Sequence, residues 1–536
     1  MCKYLYLRNG NIWTGDSNQP YAESLIIGNG KVLAVGSTTK LDTCSFAAHA
    51  VRYDLGGVTV TPGMSDCHIH ALASAKSQHA LDLSAAKSLN DVIKSLRDWS
   101  ARISSDCWIH GTMLNENNWD TPKLPTANDL DKADIPNPVI LHRVCTHASV
   151  ANSKALELSH IENDSNINIE RYNDGVPTGR LYDDAQMPVY NTMQRSLYSK
   201  DKQLRYLSEY LRYVASLGLT TLHTCSAETI GMGEELFLYT ELKRKEELCC
   251  RVYCVHDSLS VPPLGPIGDE FIRYEGFKLF IDGAIGSRTA AMFKPYDDAQ
   301  ETNGILLHSF EELCVKLEES SLRGDHILVH AIGDRGIQQQ LNAIVEICSK
   351  LGEPQHPYLL NHVEICPPEI IKKMQSLNVA CVIQPTYVPS DIDMVPIRLG
   401  EREKYACIWK TLMNAGILLC GSSDSPIEAV NPMLGIWALV NRTDWEGKRV
   451  WHAEERLSLD DALRIYTVNP AKAYSTWDWN GSLTVGKAAD IVIFDRNIFK
   501  TSQESSQVHT FLMIISPHDC FRNTYMCVYK WCGNSC

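Results

Sequence analysis

The sequence predicts an α/β chain in which a (β/α)8 TIM barrel interrupts a small β-sandwich domain formed from both chain termini. Three patterns carry that prediction. Short apolar strands with Asn-Gly turns open the chain, buried apolar runs alternate with helical stretches from Pro62 onward, and strand-like residues return at Asp490–Asp495. Asn-Gly between apolar runs is a strong hairpin signal. Leu5–Leu7, Ser24–Ile27 and Lys31–Val35, separated by Asn9-Gly10 and Asn29-Gly30, therefore read as an antiparallel β unit. The runs Pro138–His142, Thr220–His223, Phe277–Ile281, His326–His330, Tyr358–His362 and Ile417–Cys420 are apolar on both faces. Helical stretches follow them, the pattern of βα units around a parallel sheet. The expected division is 1–61 for the first part of the β domain, 62–475 for the barrel, and 476–536 for the rest of the β domain with an irregular Cys-containing tail. Residues 84–201 are too many for one crossover and read as an insertion covering the barrel mouth. No period of ~20–50 residues recurs, which argues against a solenoid.

At 536 residues the chain exceeds what one core organises, about 250–300 residues, so a large domain with a smaller companion is expected. A net charge of −14 and the lack of a basic face argue against nucleic acid and favour a small-molecule partner. The start, Met1–Gly10, has no apolar stretch of signal-peptide length, and nothing later approaches the ~18 apolar residues of a membrane span, so a cytoplasmic protein without membrane association is expected. Most of the 19 cysteines stand singly in apolar runs, as reduced buried thiols do. Cys520, Cys527, Cys532 and Cys536 are spaced too irregularly for a zinc knuckle.

The chemistry starts at Thr61-Pro-Gly-Met-Ser-Asp-Cys-His-Ile-His70, which follows the apolar Val58-Thr-Val60. Side chains alternate along a strand, so His68 and His70 project to one side and form half of a metal site, while Cys67 points the other way into the core. Several later strands also end in ligand-capable residues: Lys278 lies within Phe277–Ile281, His330 and His362 close their runs, and Asp424 follows Leu418–Ser423. Taken singly, each has an ordinary reading: a hydrogen-bonded histidine, an aspartate capping a turn before Ser-Pro, a lysine reaching for solvent. Their recurrence in this order at strand ends, where barrel enzymes carry their catalytic groups, is what makes them a candidate site.

These residues sit in stretches that resemble the amidohydrolase superfamily, specifically the amidohydrolase-3 family that includes N-substituted formamide deformylase. The matching segments are Pro62–His70, Trp108-Ile-His-Gly111, Asn118-Trp-Asp120, Leu124-Pro-Thr126, Asp129-Leu-Asp131, His147–Asn152, Lys278–Arg288, His330-Ala-Ile-Gly-Asp-Arg335, His362-Val-Glu364, Gln384-Pro385, Gly421–Asp424 and Gly486–Asp490. The resemblance implies two metal ions, zinc by expectation, held by His68 and His70 on one side and His330 and His362 on the other, with Lys278 bridging them as its carbamate. It gives Asp424 both a metal contact and the role of general base and then acid. It implies hydrolysis of a carbon–nitrogen bond other than a peptide bond, in a linear amide or an N-formyl or N-acyl amine. Deamination or cyclic-amide opening at the same site is the rival enzymatic reading, and a catalytically inactive regulatory barrel the non-enzymatic one. His147, Arg288 and Trp119 are the expected substrate contacts. Against these stand a structural pairing of Arg288 with Asp282 or Asp334, and a core role for Trp119. Asn361 departs from the family pattern, which leads to an arginine there and puts the support of His362 in question. Such barrels often pair, so a homodimer is expected among its states. Beyond Asp495 the closing β elements are blurred and Arg522–Tyr525 matches only faintly.

Overall fold

The computed structural model describes residues 4–116, 119–143, 148–226, 232–256, 266–500 and 510–514. His147 and the tail cysteines lie outside them. The chain divides into two units: Met1–Ala71 with Tyr210–Cys536, and Leu72–Glu209.

In the first unit eight parallel strands follow one another in chain order: β1 (Met64–Ile69), β2 (Leu219–Ser226), β3 (Arg251–His256), β4 (Ile272–Phe280), β5 (His326–Ala331), β6 (Tyr358–His362), β7 (Val379–Ile383) and β8 (Leu418–Gly421). The ends of the row meet. Asp66 in β1 accepts hydrogen bonds from the Ser423 amide (3.1 Å) and hydroxyl (2.6 Å), while the Asp424 amide donates to the His68 carbonyl at 2.9 Å. Every barrel strand except β4 contributes to a cluster of Cys67, Cys225, Val255, Leu328, Leu359, Ala380, Val382 and Cys420, so the interior is packed and Cys67 is core, as its position in the sequence suggests. These runs are apolar because the barrel wall is buried on both sides. Gly276 marks where two strands come closest: a Cβ there would lie 1.8 Å from the His326 carbonyl oxygen.

The termini form two further sheets. One has the order Lys31–Gly36, Ser24–Gly28, Tyr4–Arg8, Ala50–Asp54, and the other the order Thr510–Ile514, Ile491–Phe494, Thr59–Pro62, Asn11–Trp13, Tyr21–Ala22. Leu7, Ile12, Leu25, Val32, Val60, Ile491 and Ile493 share one core, which joins residues from both ends of the chain. Asn29 and Gly30 both have positive φ and close the hairpin between Ser24–Gly28 and Lys31–Gly36. Asn9-Gly10 does not make the hairpin its sequence suggests. Asn9 has a positive φ of 57°, but Tyr4–Arg8 and Asn11–Trp13 belong to different sheets and each pairs in parallel with a later strand.

The second unit is wider than the 84–201 segment expected from the sequence, running from Leu72 to Glu209. Its mixed sheet has the order Ile169–Arg171, Pro177–Tyr182, Ala148–Ala151, Val139–Arg143, Ile109–Leu114, Leu81–Asp82. The two-residue strand Leu81–Asp82 gives no periodic signal, yet it pairs with Ile109–Leu114 and brings the preceding residues into this unit. Helix Leu89–Ser100, capped by the Ser88 hydroxyl, buries Val92, Ile93 and Leu96 in a core with Ile109, Leu114, Val139 and Leu141.

Candidate metal centre and active site

The barrel brings the strand-end histidines and Asp424 together. His68, Lys278 and His362 are at most 2% exposed. His68 Nε2 lies 3.0 Å from Asp424 Oδ1 and 3.3 Å from Lys278 Nζ, and His70 Nε2 lies 3.4 Å from the same Asp424 oxygen. The rings of His68 and His362 are 5.9 Å apart, and those of His330 and His362 are 4.3 Å apart. The side chains come from the C-terminal ends of five strands, or from the residues just after them, with His68 and His70 sharing β1. The backbone there is strained: His362, Val363 and Asp424 adopt φ of 75°, 50° and 57°, a region that non-glycine residues and β-branched ones above all avoid.

Ligand atoms of His68, His362 and Asp424 fall within 4.8 Å of one another. Their protonation suits metal binding. Burial, with Lys278 next, holds His68 down to about 3 and His330 to about 4, and burial with the neighbouring His330 keeps His362 well below its ordinary value. Burial works against ionisation of Asp424, but His68 and its hydrogen bonds to His68 and His70 outweigh it and keep the carboxyl well below the usual range. Neutral imidazoles beside an ionised carboxylate form a donor set for zinc or a similar divalent ion. Among the described residues, His68 Nδ1 is buried with no hydrogen-bond partner.

A hydrogen-bond chain fixes the lone pair of His362. Gln384 Nε2 donates to Asn361 Oδ1 (3.1 Å) and Ser422 Oγ (2.8 Å), which identifies its other amide atom as oxygen; His362 Nδ1, 2.8 Å from that oxygen, must therefore carry the proton. The basic nitrogen is then Nε2, which accepts from Asn361 Nδ2 at 2.9 Å. That bond occupies the lone pair through which His362 would hold a metal, so Asn361 must release Nε2 for coordination. His330 Nε2 lies 3.1 Å from the Gly283 carbonyl, so it is the protonated nitrogen and Nδ1 holds the lone pair.

A profile of the Amidohydrolase family matches residues 52–516, including every one of these residues. The chain belongs to the amidohydrolase family. Of the relatives it resembles, YtcJ of Bacillus subtilis, named for amidohydrolase membership rather than for a substrate, is 29% identical over 93% of this chain and 95% of its own length. N-substituted formamide deformylase of Arthrobacter pascens is 24% identical over 92% and 93%. The crystal structure of a metal-dependent hydrolase from Pyrococcus horikoshii OT3 superposes with a TM-score of 0.80 at 26% identity, covering 93% of this chain and 99% of that one. The amidohydrolase is thereby a metal-dependent hydrolase built on this barrel.

The expected substrate contacts fare differently. Arg288 is engaged, but by neither Asp282 nor Asp334: its fork holds Asp298 through Nε (3.1 Å) and Nη2 (2.7 Å), and Arg398 grips the same carboxylate. Asp282 instead accepts three backbone amides, from Ala291, Ile332 and Gly333, and Asp334 accepts those of Phe293 and Arg335. Trp119 is buried in the core of the Leu72–Glu209 unit and donates to the Ala86 carbonyl at 3.0 Å, which is the core reading. Two site residues carried no sequence signal of their own. Tyr387 donates to Asp424 Oδ2 at 2.9 Å, and Asp66 both closes the barrel and supports the His68 amide at 3.2 Å.

Proposed function

We propose that this amidohydrolase cleaves a carbon–nitrogen bond other than a peptide bond in a small linear amide, an N-formyl or N-acyl amine, with Asp424 as the general base and then the general acid. The observation that carries the proposal is the placement of Asp424: an ionised carboxylate pinned between His68 Nε2 and the Tyr387 hydroxyl, at the C-terminal end of the barrel strands. A carboxylate held so takes a proton from a water that adds to the carbonyl carbon. It returns that proton to nitrogen as the carbon–nitrogen bond breaks, giving an amine and a carboxylic acid. Tyr387 fixes one Asp424 oxygen and leaves Oδ1 toward the histidines. His68, His70, His330 and His362, with Asp424 and Lys278 as its carbamate, would hold two divalent ions, zinc by preference. A bound metal supplies acidification of water and polarisation of the scissile carbonyl. Carbamate formation would need Lys278 as the neutral amine.

The formamide deformylase among the relatives supports the N-formyl reading. The test is product analysis with metal-reconstituted protein and a panel of N-formyl and N-acyl amines. Equimolar amine and carboxylate support the proposal; release of ammonia, or activity confined to cyclic amides, contradicts it.

A further inference from the structure

At the N-terminal end of the barrel strands, opposite the metal centre, lies a cavity of about 260 Å³ whose wall includes Ile267–Glu270, Arg273 and Trp479. Arg273 is the second residue of β4, and Lys278 stands five residues further along the same strand, roughly 16 Å away at ~3.3 Å per residue. The cavity is therefore separate from the histidines. Its volume lies just below the ~300 Å³ at which pockets for drug-sized ligands begin, so it takes one small molecule. Ile267 and Gly268 pair antiparallel with Tyr274 and Arg273, which fixes that rim against β4. Trp479 is fixed through its backbone, bonded to Thr476 and Ala488, and by the buried Arg251 guanidinium 5.0 Å from its ring.

The charges of the wall are not equally satisfied. Asp269 accepts the Phe271 amide (2.8 Å) and the Ile272 amide (3.0 Å) and pairs with Lys243. Glu270 faces Arg251 Nη1 at 3.7 Å, and its carbonyl accepts the Arg251 guanidinium and the Tyr253 hydroxyl. Arg273 is different. Its guanidinium lies over the Tyr253 ring, 4.3 Å from the centroid, a stack that steadies the plane of the fork. The carboxylate paired with it, Glu275, stands 3.8 Å away, beyond hydrogen-bond distance, and gives its other oxygen to His223 at 2.8 Å. Among the described residues neither Arg273 Nε nor Glu275 Oε1 has a hydrogen-bond partner, although both atoms are buried. A buried guanidinium donor without an acceptor is costly, and the side chain that carries it is 19% exposed, within reach of a ligand in the cavity.

We propose that this cavity binds a small aromatic carboxylate, its carboxyl on the Arg273 fork and its ring against the Trp479 indole. A planar carboxylate matches a guanidinium through two parallel hydrogen bonds, and an aromatic ring gains from offset stacking on the indole. The acidic side chains of the wall are engaged by Lys243 and Arg251, so the wall favours an anion over an ammonium. The inference stands apart from the hydrolase reading, since no residue of the metal centre takes part in it.

The test is calorimetry on the metal-loaded chain with 2-naphthoate, 2-naphthamide and 2-naphthylmethylamine, three ligands of nearly one shape that differ in charge. The naphthoate is expected to bind at least about tenfold more tightly than the amide. Arg273→Gln should abolish that preference, and Arg273→Lys, which keeps the charge without the fork, should reduce it several-fold. Trp479→Leu should weaken naphthoate and naphthamide by similar factors. Because a carboxylate also binds metal ions, the same titration on His362→Ala separates the two sites. A naphthoate preference unchanged in His362→Ala supports the cavity, whereas one lost in His362→Ala and kept in Arg273→Gln overturns it. Equal binding of acid and amide, tighter binding of the amine, or no binding of any of the three overturns it as well.

Discussion

Asp424 and His362 show how a residue's role depends on what fixes its proton. Asp424 is kept ionised by His68, so replacing it with asparagine keeps the shape and removes the base. Asp424→Asn should lower kcat about 100- to 10,000-fold while the melting temperature stays near that of wild type, measured by steady-state kinetics and thermal unfolding. His362 depends on Gln384. Gln384→Glu still offers an acceptor to Nδ1, whereas Gln384→Met offers none, so metal affinity in competition titrations should fall about 10- to 100-fold in Gln384→Met and much less in Gln384→Glu. The strand-end placement of these residues was legible in the sequence because a barrel repeats the same position from strand to strand. The roles of Gln384, visible only as part of a matching segment, and of Tyr387 were not, since they come from hydrogen bonds to residues on other strands. Arg288, expected at the substrate or paired with Asp282 or Asp334, instead forks Asp298, a partner that neither reading named because the Gly-rich loop sets it.

At the scale of elements, the barrel is held where strands meet closest. A side chain at Gly276 collides with the His326 carbonyl between β4 and β5, two residues before Lys278. Gly276→Ala should therefore cost about 1–3 kcal/mol or more and weaken metal retention with it, read by urea unfolding and metal content. The seam between β1 and β8 depends on Asp66. Asp66→Ala strands the Ser423 hydroxyl and two backbone amides in a buried site, and should cost roughly 2–5 kcal/mol by the same measurement. The two Asn-Gly pairs mark how far turn chemistry carries. Both asparagines adopt positive φ as the dipeptide predicts, but only Asn29-Gly30 closes a hairpin, because the partner of Tyr4–Arg8 was decided by the shared core of two sheets and not by the turn.

For the whole molecule, long apolar runs made the barrel readable, whereas the insertion's limits were set by short strands and by a helix, Lys200–Ser216, that passes through its end without a break. Stability against acid is a further property of the whole. Burial holds His326 neutral, with a folded value of about 4, among Glu275, His356, His223 and Arg273. Its folded value lies below the unfolded one of about 6.5, so its contribution is complete above pH 6.5 and is lost as pH falls toward 4. Between pH 7 and pH 5 that amounts to about 2 kcal/mol. His326→Phe should flatten the pH dependence of the urea midpoint by that amount, and an unchanged slope would show that other groups carry it.

The central claim is a metal centre assembled from His68, His70, Lys278, His330, His362 and Asp424. Its most direct test is the metal content per chain, by inductively coupled plasma mass spectrometry, of wild-type protein and His362→Ala purified without chelators. About two divalent ions per chain in the wild type, with a clear loss in His362→Ala, is the predicted result. A wild-type chain that holds no metal, even after zinc and bicarbonate are added back, would contradict it.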